Sequence, residues 1–165
     1  MTELTDGTIV LRPWRLADAD WYASQVKDPE IQRQTTESAE LTAHQVREAI
    51  STYADDPYLR GWVICAAESG QLLGNAALDL DSGRISYWVA AAARGRGVAT
   101  AAVRLMAAYG FDTSELDTLR LWVRAGNHAS AKAAVKAGFV RAPELDATVE
   151  VKGEQWTAEY YERLR

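Results

Sequence analysis

Two neighbouring runs decide the fold: Arg84-Ile85-Ser86-Tyr87-Trp88-Val89 and, after four alanines, Arg94-Gly95-Arg96-Gly97-Val98-Ala99-Thr100. The first follows the turn residues Asp81-Ser82-Gly83 and reads as a strand. The second leads into the alanine-rich Val98–Phe111 segment, whose Val98, Ala102, Leu105 and Tyr109 fall on one helical face. A strand therefore passes through a small, basic corner into a helix. Gly95 and Gly97 lack a Cβ, so the backbone can turn tightly and approach a ligand closely. Their amides, with those of Val98, Ala99 and Thr100, belong to a helix's unpaired first turn. Together with the positive end of the helix dipole, such donors make a seat for phosphate. Ala99 is small enough not to crowd a bound anion.

Other readings of the same corner are weaker. Thr100 stands where a dinucleotide fingerprint needs its third glycine, and Leu121-Trp122-Val123 leads to Arg124 instead of an acid. No GxxxxGK[ST] occurs, which excludes a nucleotide P-loop. A plain connecting turn is the remaining alternative.

Working outward, Thr8–Arg12 is a strand closed by Pro13, and Asp18 to Val26 is a helix that stops before Pro29. Thr42-Ala43-His44-Gln45 fits a capping box that opens a helix to about Tyr53. Gly61–Ala67 and Leu72–Leu80 are strands joined by a short turn, and with Arg84–Val89 they predict an antiparallel meander. Thr118–Val123 alternates as a strand, and Asn127–Ala137 is a helix ended by Gly138. Phe139-Val140 opens a further strand, and Glu150–Tyr161 reads as one final strand. The expectation is a single α+β domain over residues 1–165, with a mixed, mostly antiparallel sheet flanked by helices.

Composition narrows the function. The 165 residues are 48% hydrophobic and 25% charged, as in an ordinary globular chain with a real core. The net charge of -5 makes the chain a poor candidate for sequence-independent nucleic-acid binding, which needs a broad basic face. Yet Arg84 to Phe111 contains no acid and four arginines (Arg84, Arg94, Arg96, Arg104), a local positive stretch suited to an anion. No apolar run approaches the roughly 20 residues that cross a bilayer, and no secretory signal is visible, so the expected residence is cytoplasmic. The single Cys65 excludes a disulfide framework, and no metal-binding signature is present.

Arg94, Gly97 and Ala99 after Ile-Ser-Tyr-Trp-Val, followed downstream by Asn127-His128-Ala129-Ser130 and Lys136-Ala137-Gly138-Phe139, form a combination that resembles the GNAT acyl-CoA-dependent N-acetyltransferases. The opening Ile9-Val10-Leu11-Arg12-Pro13-Trp14, Ala17-Asp18-Ala19-Asp20 and the closing Tyr160-Tyr161-Glu162-Arg163-Leu164 resemble their ribosomal-protein N-terminal acetyltransferase branch, the RimJ/RimL type. The similarity spans nearly the whole chain.

The resemblance implies an acetyl-CoA donor and no metal. It implies that Arg94, Gly95, Arg96, Gly97, Val98, Ala99 and Thr100 hold the coenzyme's pyrophosphate, and that the backbone of Trp88 and Val89 pairs with its pantetheine arm. It implies that Asn127 contacts the cofactor and that Ser130 protonates the departing thiolate; a plain helix N-cap and a surface serine are the alternatives. It implies an amine acceptor, either a peptide N-terminus or a small amine such as an antibiotic, amino acid or polyamine, and a homodimer is common in such enzymes. A non-catalytic acyl-CoA-binding module is a third reading. Relatives often carry Glu-Ile-Gly-Tyr-Trp where this chain has Arg84-Ile85-Ser86-Tyr87-Trp88, so the usual base is missing. Asp79, Asp81 and a water chain remain as alternatives, with Tyr87 as a further acid. His44 and His128 are expected at the surface, and Trp122 beside the cleft.

Overall fold

A computed structural model describes residues 2–165. Its strands are β1 (Leu4–Thr5), β2 (Ile9–Pro13), β3 (Leu59–Ala66), β4 (Leu72–Asp79), β5 (Arg84–Val89), β6 (Thr118–Arg124), β7 (Val140–Arg141), β8 (Ala147–Val151) and β9 (Glu154–Leu164). The α-helices are α1 (Ala19–Gln25), α2 (Pro29–Gln34), α3 (Ala43–Tyr53), α4 (Val98–Thr113) and α5 (His128–Lys136). The strands form one mixed sheet in the order β1-β2-β3-β4-β5-β6-β9-β7, with β8 paired to β9. Every pairing is antiparallel except β5 with β6.

Pattern and packing agree. Strand alternation puts Leu11, Ile64, Leu78, Ile85, Leu119 and Leu121 on one face, where α4 buries Val98, Ala102, Val103, Met106, Ala107 and Gly110 against them. Gly110 is there because a Cβ would stand 3.1 Å from Leu78 and 3.3 Å from Leu119. Leu105 and Tyr109 only flank this seam. The opposite face receives α1, α2 and α3 through two smaller clusters, one of them Val26, Ile31 and Trp88.

Two elements are added to the expected set and one expectation changes. The first helix stops before Pro29 as expected, and Pro29 then opens the further helix α2, because Asp28 caps it and a proline fits a first turn whose N–H would be unpaired anyway. β1 is too short to have been readable. The single strand expected over Glu150–Tyr161 is a hairpin, turning at Lys152-Gly153 between the facing residues Val151 and Glu154. Lys152 (φ 53) and Gly153 (φ 79) both take positive φ, as a two-residue hairpin with the strands' own twist requires.

One ion pair fixes the entry of the chain into α1. Arg12 donates two hydrogen bonds to Asp18, at 2.8 and 3.0 Å, and the Arg15 N–H donates a third at 2.9 Å. Burial raises the Asp18 carboxyl, but these donors outweigh it and hold the group below the ordinary carboxylate range. A depressed carboxylate stabilises the fold above its unfolded value near ~3.9 and loses that contribution as pH falls through the folded value. Asp18→Asn should therefore cost about 3 kcal/mol at neutral pH, because it leaves a buried guanidinium unpaired. Urea midpoints measured against pH should also fall less steeply below pH ~4 in the variant than in wild type.

Candidate active site

The site begins with a failure of pairing. β5 and β6 share one register pair, Arg84 with Arg120, and the Arg120 N–H donates to the Gly83 carbonyl at 2.9 Å. Beyond it the strands diverge, while β5 stays paired to β4 as far as Val89 with Gly74. The Ala90 N–H donates to the Leu73 carbonyl, which sets the phase of the β4–β5 ladder. By alternation the Trp88 backbone bonds to β4, and Tyr87 and Val89 turn their N–H and C=O groups toward the opening. Of the two residues expected to offer backbone there, Val89 does so; Trp88 offers only a side chain, which is buried on the α1–α2 face.

The corner closes one end of this opening. Gly95 (φ 74) and Gly97 (φ 75) are left-handed, and an added Cβ at either would meet nothing within 4 Å. Gly97 is the N-cap of α4 and offers no side chain to its first turn. No acceptor within the described residues takes the N–H groups of Gly95 through Thr100. Successive free donors with an open approach suit a diphosphate. Arg94 turns aside and pairs with Asp28 at 2.5 Å, whereas Arg96 is exposed.

The other wall is α5. Asn127 is its N-cap, accepting the Ser130 N–H at 3.2 Å. Across the opening, Tyr87 Oη and Ser130 Oγ are 2.5 Å apart. Burial raises the Tyr87 phenol and the Ser130 contact only partly offsets it, so Tyr87 keeps its proton at neutral pH. Lys132 and His128 are exposed, and His44 faces Glu48 at 3.2 Å with its side chain 78% exposed.

Neither acid of the β4–β5 turn reaches the opening. Asp79 is occupied by the Asp81 and Ser82 N–H groups and the Ser82 hydroxyl, at the end where β5 and β6 are still joined. The acid that meets β5 near the opening is Glu37, which the sequence reading did not single out. It accepts from Tyr22 Oη–H and, at 3.1 Å, from Trp88 Nε1–H. Nothing local marks Glu37 in sequence, because its partners lie 15 and 51 residues away.

A cavity of about 760 Å³ continues from the end of β6, between α2 and the β8–β9 hairpin. Arg33, Gln34, Arg124, Lys152, Glu154 and Trp156 line it. Arg124 lies 4.1 Å over the Trp156 ring and donates to the Arg33 carbonyl at 2.7 Å. Trp122, half-buried on the same sheet face as Arg124, is outside this lining.

Sequence comparison supplies the family. The model of the acetyltransferase (GNAT) domain matches residues 8–140, and the chain belongs to that family. YdaF of Bacillus subtilis (strain 168), a protein provisionally named a ribosomal N-acetyltransferase, is 30% identical over 81 residues, or 49% of this chain and 44% of that protein. The chain thus matches less than half the length of that relative. Among solved structures, RimL, a ribosomal L7/L12 α-N-protein acetyltransferase in complex with coenzyme A, superposes with a TM-score of 0.84. The two are 13% identical over 99% of this chain and 98% of that one. Spermidine N-acetyltransferase from Vibrio cholerae, solved with CoA and spermine, superposes at 0.82 with 18% identity over 96% of each chain. These two likenesses establish the fold.

Gly97→Val should weaken CoA binding by about 100-fold or more, measured by calorimetry. The branched side chain strains the left-handed N-cap and fills the open approach to the free amides. Binding as tight as wild type would place the coenzyme elsewhere.

Proposed function

We propose that residues 1–165 form one acetyltransferase domain that acetylates a primary amine by direct attack, the acceptor being a protein or peptide N-terminus. The observation that carries the reading is the opening between β5 and β6, flanked by the free amides of Gly95–Thr100 on one side and by the Tyr87–Ser130 pair on the other. The acceptor class is supported by the likeness to RimL and by partial identity to YdaF.

Acetyl-CoA, when bound, supplies the acetyl group as a thioester. The amides of Gly95, Arg96, Gly97, Val98, Ala99 and Thr100 hold its diphosphate, the Val89 backbone pairs with the pantetheine amides, and Asn127 orients the start of α5 beside them. An N–H of the diverging β5 edge stabilises the negative charge that develops on the carbonyl oxygen. The acceptor nitrogen bonds to the acetyl carbon as the carbon–sulfur bond breaks. Ser130 gives its hydroxyl proton to the departing sulfur and regains one from solvent, while Tyr87 keeps its own proton and holds Ser130 by a hydrogen bond. Glu37 takes the proton that the amine must lose, the oxygen not engaged by Tyr22 and Trp88 being free for it. Holding amine and thioester together supplies the larger share of rate, up to ~7–11 kcal/mol in ideal cases, and the proton-transfer groups add about 10²–10⁴-fold.

Ser130→Ala should lower kcat by about 10²-fold with the KM for acetyl-CoA nearly unchanged, followed by free-thiol release. Unchanged kcat would return Ser130 to a surface role. Glu37→Gln should lower kcat/KM by about 10²-fold, followed by free-thiol release; an unchanged kcat/KM would move the base elsewhere.

A further inference from the structure

The cavity beside the opening has a charge that the chain as a whole does not. The protein carries -5, yet the lining contributes Arg33, Arg124 and Lys152 against one carboxylate, Glu154. These cations are poorly neutralised. Lys152 donates to the Gln32 carbonyl (2.7 Å), to Gln32 Oε1 (3.1 Å) and to the Glu37 carbonyl (3.1 Å), all neutral oxygens. Arg124 stacks on Trp156 and lies 3.9 Å from Glu154, beyond hydrogen-bonding distance. Arg33 alone has a close carboxylate, Glu30 at 2.5 Å, and its side chain remains 61% exposed. Lys152 is moreover held in a left-handed backbone conformation, which a lysine adopts at a cost and which aims its side chain across to α2.

We propose that this cavity binds a carboxylate of the acceptor, so that the preferred acceptor is a peptide N-terminus followed closely by acidic residues, and a polycationic amine is rejected. The inference rests on the acetyl-transfer reading above and names the substrate class of that site. The connection is covalent and short. Arg124, Ala125 and Gly126 line the cavity, the next residue is Asn127, and Ser130 lies one turn into α5. An amine at the opening therefore has its nearest substituents beside Arg124. Like-charge repulsion would turn away spermine, the ligand seen in the spermidine acetyltransferase of this fold.

The test uses the full chain with acetyl-CoA and the peptides Ser-Asp-Asp-Ala-Ala, Ser-Asn-Asn-Ala-Ala and Ser-Lys-Lys-Ala-Ala, with glutamate, glutamine and spermine alongside. Expected is a kcat/KM for the aspartate peptide about tenfold above its asparagine isostere, mostly in KM and shrinking as salt is added. Turnover of glutamate over glutamine would show that a free amino acid supplies the same carboxylate; its absence assigns the site to peptides. In Arg33→Gln and Arg124→Gln the aspartate-to-asparagine ratio should fall toward one, and Lys152→Arg should keep it. Equal rates for the two peptides, a preference for lysine or spermine, or a ratio unmoved in both variants overturns the inference. So does a loss of CoA affinity in Arg124→Gln with the ratio intact, because the cations would then serve the coenzyme's phosphates. Tryptophan fluorescence titrated with the N-acetylated peptides in the presence of CoA provides a readout without turnover. Tighter binding of the acidic product with no acetylation of any peptide keeps this inference and removes the acetyl-transfer reading. Turnover without charge preference does the reverse, and neither turnover nor selective binding removes both.

Discussion

Everything at the site follows from β5 and β6 sharing one pair and then separating. Two parallel strands that stayed zipped would use their inner N–H and C=O groups on each other and leave no room between them. Here the joint at Arg84 and Arg120 is maintained and the rest is held apart by what sits beyond it. α4 packs on the sheet through Met106 and Ala107, its Gly110 lies close against Leu119 of β6, and α5 starts at the far end of β6 with Asn127 as its cap. β5 is secured on its other side by β4, where Gly74 is obligatory because a Cβ would lie 2.3 Å from the Trp88 carbonyl oxygen. The open edge thus belongs to a rigid strand, which is what a group meant to meet a ligand backbone needs.

The two faces of β5 then divide the work. Ile85, Tyr87 and Val89 look toward the helices α4 and α5, and Tyr87 reaches from the core to Ser130. Ser86 and Trp88 look toward α1 and α2, where Trp88 stacks on Trp21 at 5.8 Å, meets Tyr22 edge-on at 5.2 Å and donates to Glu37. Several of the chain's six tryptophans are concentrated on that side. They form a stiff aromatic wall with few rotamers to lose, which keeps the carboxylate of Glu37 in place.

What sequence could reveal was whatever is encoded locally. The strand–glycine corner–helix order, the Thr42–Gln45 capping box and the Asn127 cap each depend on residues within a few positions of one another, and all are present. Gly95 and Gly97 were readable because a left-handed turn leaves a compositional mark. Glu37, Lys152 and the Tyr87–Ser130 pair depend on contacts 15 to 120 residues apart, and no periodicity carries that information. The β8–β9 hairpin was missed for a related reason. Lys152-Gly153 is a weaker turn signal than Asn-Gly, and the only other mark is a shift in the phase of alternation, from Val149 and Val151 to Trp156 and Ala158.

That unconventional corner has an evolutionary reading. Among the described residues Lys152 alone combines a Cβ with positive φ, and asparagine or glycine would sit there with less strain, about 1 kcal/mol less. Neutral drift pushes such a position toward the relaxed choice, so a lysine retained across descendants of this chain would mark continuing selection on its ammonium. Chains of the same shape that have slipped to asparagine or glycine should have changed diet, and position 152 becomes a one-letter label for sorting them.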